Sequence, residues 1–202
     1  MWNAALLYAV VMPTYFITMH IRQARNMKYN LIRPLLEDVG HLITDEKTWR
    51  KFHHISDILP VVCVLLMIAD SYIFNGSIKK INEYCILHAS MYFIRMLSIH
   101  STTLPTSVPY VRHKSYKPRM YLGFVPSYDN DMCFSGHLSM CLLTLPFISD
   151  YNLYWASVWS SILCGFLLIA SREHYTLDIV VACIACRALY SYKDFLINTF
   201  TF

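Results

Sequence analysis

The stretch SREHYTLDIVVACIACRALY, residues 171–190, begins with charged and polar side chains and continues into an apolar run. His174 and Asp178 stand four residues apart at the start of that run, so both would lie on one face of a helix. Such a pair is often only a structural feature of a helix start. The same spacing also lets a carboxylate fix the tautomer and orientation of a catalytic imidazole. The rest of the chain decides between these two interpretations.

The composition is typical of a protein that crosses a membrane several times. Of the 202 residues, 56% are hydrophobic and 15% are charged, whereas about a quarter of the residues of a soluble domain are charged. The charged residues are clustered and leave long apolar stretches between them. The net charge is only +4 and forms no basic face, which argues against nucleic-acid binding. With no linker and no internal repeat, residues 1–202 are expected to form one domain.

Six apolar segments are candidates for transmembrane helices, namely residues 1–20, 55–74, 81–101, 134–148, 151–170 and 175–196. The first has neither the leading positive charges nor the small-residue end of a cleaved signal peptide, so we expect it to be retained. Six crossings place the polar loops 21–54 and 102–133 and the turn 171–174 on one side of the membrane. The sequence therefore predicts an all-α, polytopic membrane protein with six transmembrane helices.

The seven cysteines do not predict a disulfide framework. Their number is odd, and six of them lie within apolar stretches. Cys183 and Cys186 form a C-x-x-C pair, but within an apolar helix this spacing is more typical of packing than of redox or metal chemistry. The sequence contains no metal-ligand cluster, and no cofactor is expected.

Polar residues from distant parts of the sequence are expected on the side of the membrane that carries the two long polar loops. His137 begins the fourth helix, His174 begins the sixth, and Arg95 lies near the end of the third. This set suits phosphoryl transfer through a phosphohistidine, in which one nitrogen of His174 attacks phosphorus while Asp178 holds the ring. His137 would protonate the leaving alcohol and then take a proton from the incoming one.

The same region offers groups that suit a phosphate. Ser135 and Gly136 precede a helix, where backbone N–H groups and the helix dipole favour an anion. Arg95 can add a fixed bidentate charge. An arginine within a membrane span is costly and is more often functional than structural.

Four segments resemble the signature motifs of the sphingomyelin synthase family. DMCFSGHLSMCLLTLPF (131–147) is similar to the third motif and REHYTLDIVVA (172–182) to the fourth. YFIRMLSIHSTTLP (92–105) is similar to the second motif, and RPLLEDVGH (33–41) is a looser match to the first. The four occur in the family's order and with its spacing relative to six helices, so the resemblance extends over most of the chain.

The resemblance implies a ceramide phosphotransferase of the lipid phosphate phosphatase superfamily, with a PAP2-like catalytic core over about residues 81–196. Such enzymes move a phospho-headgroup (choline, ethanolamine or inositol) from a glycerophospholipid to ceramide and release diacylglycerol. By this resemblance His174 is the nucleophile, Asp178 its orienting carboxylate and His137 the acid/base residue. The implied partners are the glycerophospholipid donor, the ceramide acceptor and the lipid bilayer, without a metal.

The motifs also imply substrate-binding residues. Arg95 matches the arginine of the second motif. Those within the third and fourth motifs are Asp131, Ser135, Gly136, Arg172 and Tyr175. Arg172 stands only two residues before His174, closer than the superfamily arginine, so its expected role in phosphate binding is subsidiary.

Two departures from the family leave the headgroup and the acceptor open. Leu138 replaces a family threonine, and Asp129-Asn130 replace a family Cys-Gly. One alternative is hydrolysis at the same site, as in a lipid phosphate phosphatase or a phospholipase C-like enzyme, because pocket shape and water exclusion choose the acceptor. The second alternative is a non-catalytic membrane scaffold. A homo-oligomer is compatible with each of these functions.

The resemblance and the charge distribution predict opposite orientations in the membrane. The resemblance implies a site on the luminal or extracellular face of the Golgi, the endoplasmic reticulum or the plasma membrane. Lys and Arg are concentrated in the loops 21–54 and 102–133, which the positive-inside rule places in the cytoplasm. We expect the family orientation, because a phosphate-binding face needs cations for its own chemistry.

Overall fold

The computed structural model describes residues 2–28, 37–74, 76–101, 119–121, 125–127 and 134–200. Its helices are α1 (Trp2–Lys28), α2 (Val39–Leu42), α3 (Glu46–Trp49), α4 (His53–Ile68), α5 (Lys79–Ser101), α6 (Gly136–Thr144), α7 (Tyr151–Ala170), α8 (Thr176–Ser191) and α9 (Lys193–Phe200). The 3-10 turns Arg50–Phe52 and Leu145–Phe147 and the π turn Ala69–Phe74 extend the neighbouring helices. Strands β1 (Arg119–Tyr121) and β2 (Val125–Ser127) pair antiparallel, with Met120 opposite Pro126.

Each of the six segments predicted from the sequence contains a helix, and α7 has the predicted bounds. Two expectations are wrong. The segment 21–54 is helical over much of its described part, because Asp38 and Asp45 cap the short helices α2 and α3 by accepting a backbone N–H. The segment 175–196 is interrupted after Ser191, where α8 ends and α9 follows. The all-α class is confirmed, because helices make up most of the described residues and the only described strands are three residues long each.

Two helical stretches among the described residues are long and apolar enough to cross a membrane, Glu46–Ile73 and Tyr151–Ala170. Ala4–Met19 and Gly136–Phe147 are shorter apolar helices. Their lengths and composition are compatible with a membrane protein. The count of six spans stays a prediction, because the other helices are shorter or carry more polar side chains.

Apolar side chains fill the interior and also cover the outer surface of the helices. Fully buried core residues include Cys63, Met67, Leu87, Met91 and Leu168. On the outer surface Leu65, Trp159 and Ile184 are 58–65% exposed. Large apolar side chains exposed on several helices at once are typical of a surface that contacts lipid.

Contacts between helices fix their relative directions. The hydroxyl of Tyr8 lies 2.9 Å from Nδ1 of His88, and the ring of Tyr15 packs edge-on against Tyr92 with centroids 4.8 Å apart. From the first pair to the second, the residue number increases along both helices, so α1 and α5 run parallel. The C-terminal end of α5, which carries Arg95, therefore lies at the same end of the molecule as the C-terminal half of α1.

A buried carboxylate fixes the other end of the molecule. Asp70, at the end of the α4 stretch, accepts the backbone N–H groups of Ser149 and Asp150 at 3.1 and 2.8 Å. Nζ of Lys80 lies 3.3 Å from the same carboxylate. The end of α4 and the starts of α5 and α7 therefore meet here, and the starts of α4, α6 and α8 lie together at the opposite end.

Candidate active site

The start of α8 holds the predicted His-Asp pair. Nδ1 of His174 donates to Oδ2 of Asp178 at 3.1 Å, and both side chains are buried. Because a carboxylate only accepts hydrogen bonds, this contact places the proton of the neutral ring on Nδ1 and leaves the lone pair on Nε2. The same Oδ2 accepts the backbone N–H of Tyr175 at 3.1 Å. The carboxylate thus caps the helix and orients the imidazole.

The start of α6 lies against the start of α8. Ser135 caps α6, its Oγ accepting the N–H of Leu138 at 3.2 Å. The backbone N–H of Ser135 donates to the carbonyl oxygen of Asp178 at 3.3 Å. Two helix N-termini therefore meet at one point, and their dipoles create a positive potential there that favours an anion.

Arg95 brings a cation to the same point. Its side chain is buried, and its guanidinium packs over the rings of Tyr15 and Tyr92 at 5.6 and 5.9 Å. A Cβ atom at Gly136 would overlap this guanidinium. The glycine of the Ser-Gly-His motif is therefore required for the close approach of Arg95 to the start of α6.

His137 has a carboxylate partner that the sequence analysis did not identify. Its Nε2 lies 3.3 Å from Oδ1 of Asp57 on α4, and both side chains are partly exposed. Asp57 stands near the start of the second apolar segment. A charged residue within an apolar segment is the one feature of the sequence that could have indicated its role. Each of the two candidate catalytic imidazoles thus lies beside its own carboxylate.

A second feature outside the sequence prediction is a clamp formed by α2, Asp38 and His41. Oδ2 of Asp38 accepts the N–H of Thr176 at 2.8 Å and Oδ1 accepts its hydroxyl at 2.7 Å. Nε2 of His41 donates to the carbonyl oxygen of His174 at 2.9 Å. The clamp therefore contacts His174 and Thr176, the two residues on either side of Tyr175, which caps α8.

The predicted substrate-binding residues Arg172 and Tyr175 contact this clamp. Arg172 has a positive φ of 64°, and its Nη2 donates to the carbonyl oxygens of His41 and Thr44 at 2.5 and 3.2 Å. The buried ring of Tyr175 lies 5.4 Å from that of His41. These contacts hold α2 against the turn before α8, and so they support the start of that helix. Asp131, the remaining predicted residue, lies outside the described residues.

No group of three or more His, Cys, Asp or Glu side chains that could hold a metal ion occurs within the described part of the chain. Six cysteines fall in that part, and all six are free thiols.

One protein-family model matches the part of the chain that contains most of this site. Residues 130–195 match the family model described as PAP2 superfamily C-terminal. The match supports the predicted resemblance to the PAP2-like superfamily. It spans α6, α7 and α8, and so includes His137, His174 and Asp178. No curated protein sequence matches the chain.

The match indicates the class of chemistry. A PAP2 domain is associated with lipid phosphate chemistry of the phosphatase or phosphotransferase type. It does not separate sphingomyelin synthases from the other members, so the resemblance of the motifs to that family alone suggests ceramide as the acceptor.

Proposed function

We propose that the protein is a membrane phosphotransferase that moves the phospho-headgroup of a glycerophospholipid to ceramide and releases diacylglycerol. The observation that supports this most strongly is the meeting of two helix N-termini, Arg95 and the His174–Asp178 pair at one end of the bundle. The positive potential of the helix ends and the guanidinium suits a phosphodiester, and the oriented imidazole suits attack on its phosphorus.

In the first step Nε2 of His174 attacks the phosphorus of the donor lipid. A P–N bond forms, the P–O bond to the glycerol oxygen breaks, and its electron pair leaves with that oxygen. His137 gives the departing oxygen a proton, which yields diacylglycerol and a phosphohistidine that carries the headgroup. Asp178 stabilises the positive charge that the His174 ring acquires.

In the second step the primary hydroxyl of ceramide attacks the same phosphorus. The P–N bond breaks, its electron pair returns to His174, and the hydroxyl proton passes to His137. Asp57 lies 3.3 Å from Nε2 of His137 and stabilises the protonated ring before the first step and after the second. Arg95 and the backbone N–H groups at the start of α6 neutralise the phosphate oxygens throughout.

Hydrolysis is the competing function at the same residues. It shares the first step and differs only in that water, in place of ceramide, attacks the phosphohistidine. The family match is common to phosphatases and phosphotransferases, so an assay has to distinguish them by the acceptor.

The test uses the purified protein in liposomes that contain labelled ceramide and one donor at a time, choosing among phosphatidylcholine, phosphatidylethanolamine and phosphatidylinositol. We expect a labelled phosphosphingolipid with an equal amount of diacylglycerol from at least one donor. Diacylglycerol with free phospho-headgroup and no labelled product would assign the site to hydrolysis. No product from any donor, with the protein folded, would favour the scaffold function.

Two variants make the assay specific for the site. His174→Ala removes the proposed nucleophile, and we expect it to abolish both products. His100→Ala is the matched control, because His100 is exposed and its Nδ1 donates to the carbonyl of its own helix at 2.8 Å. Equal loss of activity in both variants would contradict the proposed role of His174.

A further inference from the structure

An apolar groove of about 300 Å³ lies between α6, α7 and α8. Leu138, Ser161 and Gly165 line its buried side, and Ile162 and Cys183 are exposed at its rims. The hydroxyl of Ser161 donates to a carbonyl of its own helix at 2.7 Å, so it offers no proton to a ligand. The groove therefore suits a purely apolar occupant and opens to the outer surface of the bundle.

The length of the groove fits one leaflet of a bilayer. Its lining on α7 extends from Val158 to Ile169, and eleven steps of 1.5 Å along a helix give about 16 Å. This is about half of the ~30 Å hydrocarbon core of a membrane. Near the C-terminal end of α7, Trp49 packs edge-on against Phe166 with ring centroids 4.9 Å apart. Tryptophan is typical of the membrane–water interface.

One end of the groove is lined by residues that directly follow the candidate active site on α6 and α8. Leu138 lines it and directly follows His137 along α6, and Ile179 lines it and directly follows Asp178 along α8. Both helices start at the site and run away from it. A chain that leaves the site along these two helices therefore first reaches Leu138 and Ile179, which line the groove.

We propose that this groove binds one acyl chain of the donor glycerophospholipid whose phosphate lies between His137 and His174. The inference rests on the proposed function and names a binding site for its substrate. A volume of about 300 Å³ is at the lower limit for ligand pockets, which fits a single chain better than a complete two-chain lipid. The second chain then remains in the surrounding bilayer.

Gly165 offers the sharpest test, because it has no side chain and faces the groove. A Cβ atom there would lie 3.8 Å from the side chains of Leu138 and Ile179, an ordinary van der Waals distance, so Gly165→Ala is tolerated and Gly165→Leu fills the groove. We expect Gly165→Leu to lower kcat/KM for long-chain donors by about tenfold, the factor expected when roughly two methylene groups lose their buried contacts. Short-chain donors should react as with the unchanged protein.

Two further variants guard against misfolding and against a general effect of added bulk. Cys183→Phe narrows the groove from its exposed rim on α8, and we expect the same selective loss of long-chain donors. Ala156→Phe is the matched control, because Ala156 is exposed on α7 and does not line the groove. Equal loss for short and long donor chains, or a change in selectivity that follows the ceramide chain, would overturn the assignment to the donor.

A readout that needs no turnover separates this inference from the proposed function. A donor phospholipid with a photoreactive diazirine at the end of one acyl chain is irradiated with the protein in liposomes. We expect adducts near Val158 and Leu145, at the end of the groove farther from the candidate active site. These adducts should be lost in Cys183→Phe. If the protein transfers no headgroup and these adducts still form, the groove stands and the transferase proposal fails. Adducts spread over the outer face around Ala156 and Trp159 would overturn the groove.

Discussion

Replacing Asp38 by alanine should show whether this residue positions His174, the proposed nucleophile, in addition to capping α2. The carboxylate accepts the N–H of Thr176 at 2.8 Å, the hydroxyl of Thr176 at 2.7 Å and the N–H of His41 at 3.1 Å. Asp38→Ala leaves the first N–H of α8 without its acceptor, and it releases the segment that holds the carbonyl of His174. The backbone of His174 then loses its contact with His41 of α2.

The magnitude follows from these contacts. Loss of a helix cap costs about 1–2 kcal/mol, and a hydrogen bond to a charged acceptor contributes about 1.5–3 kcal/mol. Asp38 is half-buried, so we expect a local cost of about 2–3 kcal/mol. A catalytic group displaced by ~1 Å loses up to about a hundredfold in rate, and we therefore expect kcat to fall by about 10- to 100-fold with little change in KM.

The assay is headgroup transfer in liposomes at varied donor concentration, together with a thermal unfolding curve in detergent. Asp45→Ala is the matched control, since Asp45 caps α3 in the same way and accepts the N–H of Thr48 at 3.2 Å, away from the site. It should leave kcat unchanged. Asp38→Asn retains an acceptor for Thr176 and should recover part of the rate. Equal kcat values for Asp38→Ala and Asp45→Ala would refute the positioning role.

Three further predictions test other parts of the site and the fold. Gly136→Ala places a Cβ atom where the guanidinium of Arg95 lies, and we expect kcat/KM to fall at least about tenfold without loss of folded protein; an unchanged value would mean that Arg95 does not act at this helix start. Asp57→Asn removes the charge beside His137, and kcat should fall by about 10- to 100-fold, measured against unchanged transfer in Asp45→Ala. Asp70→Ala leaves two partly buried N–H groups just before α7 without their acceptor and should destabilise the protein by about 2–4 kcal/mol, seen as a lower Tm in detergent; a reduced kcat at full occupancy of the folded state would contradict its purely structural role.

The parts of the fold that the sequence predicts are those with local signals. α7 has its predicted bounds because Asp150 caps its first turn by accepting the N–H of Leu153, and an unbroken apolar run of 20 residues follows. The pairing of His174 with Asp178 is equally local, since four residues of helix bring them together.

The missed parts depend on contacts between distant segments. Asp57 meets His137, and Asp38 and His41 meet the start of α8, across separations of 80 residues or more. Nothing in the local pattern of a four-residue helix such as α2 indicates where it packs. The contacts of Arg172 with α2 likewise follow from the tertiary fold and have no local signal in the sequence.

The most direct test of the account is to trap the phosphohistidine. The full-length protein in liposomes is mixed with a donor lipid labelled at phosphorus, without ceramide, and is quenched in alkali, in which phosphohistidine survives. We expect a burst of diacylglycerol equal to the amount of active protein, with an acid-labile label on the peptide that contains His174, and no label in His174→Ala. Equal headgroup transfer by His174→Ala, or a label on another residue, would contradict it.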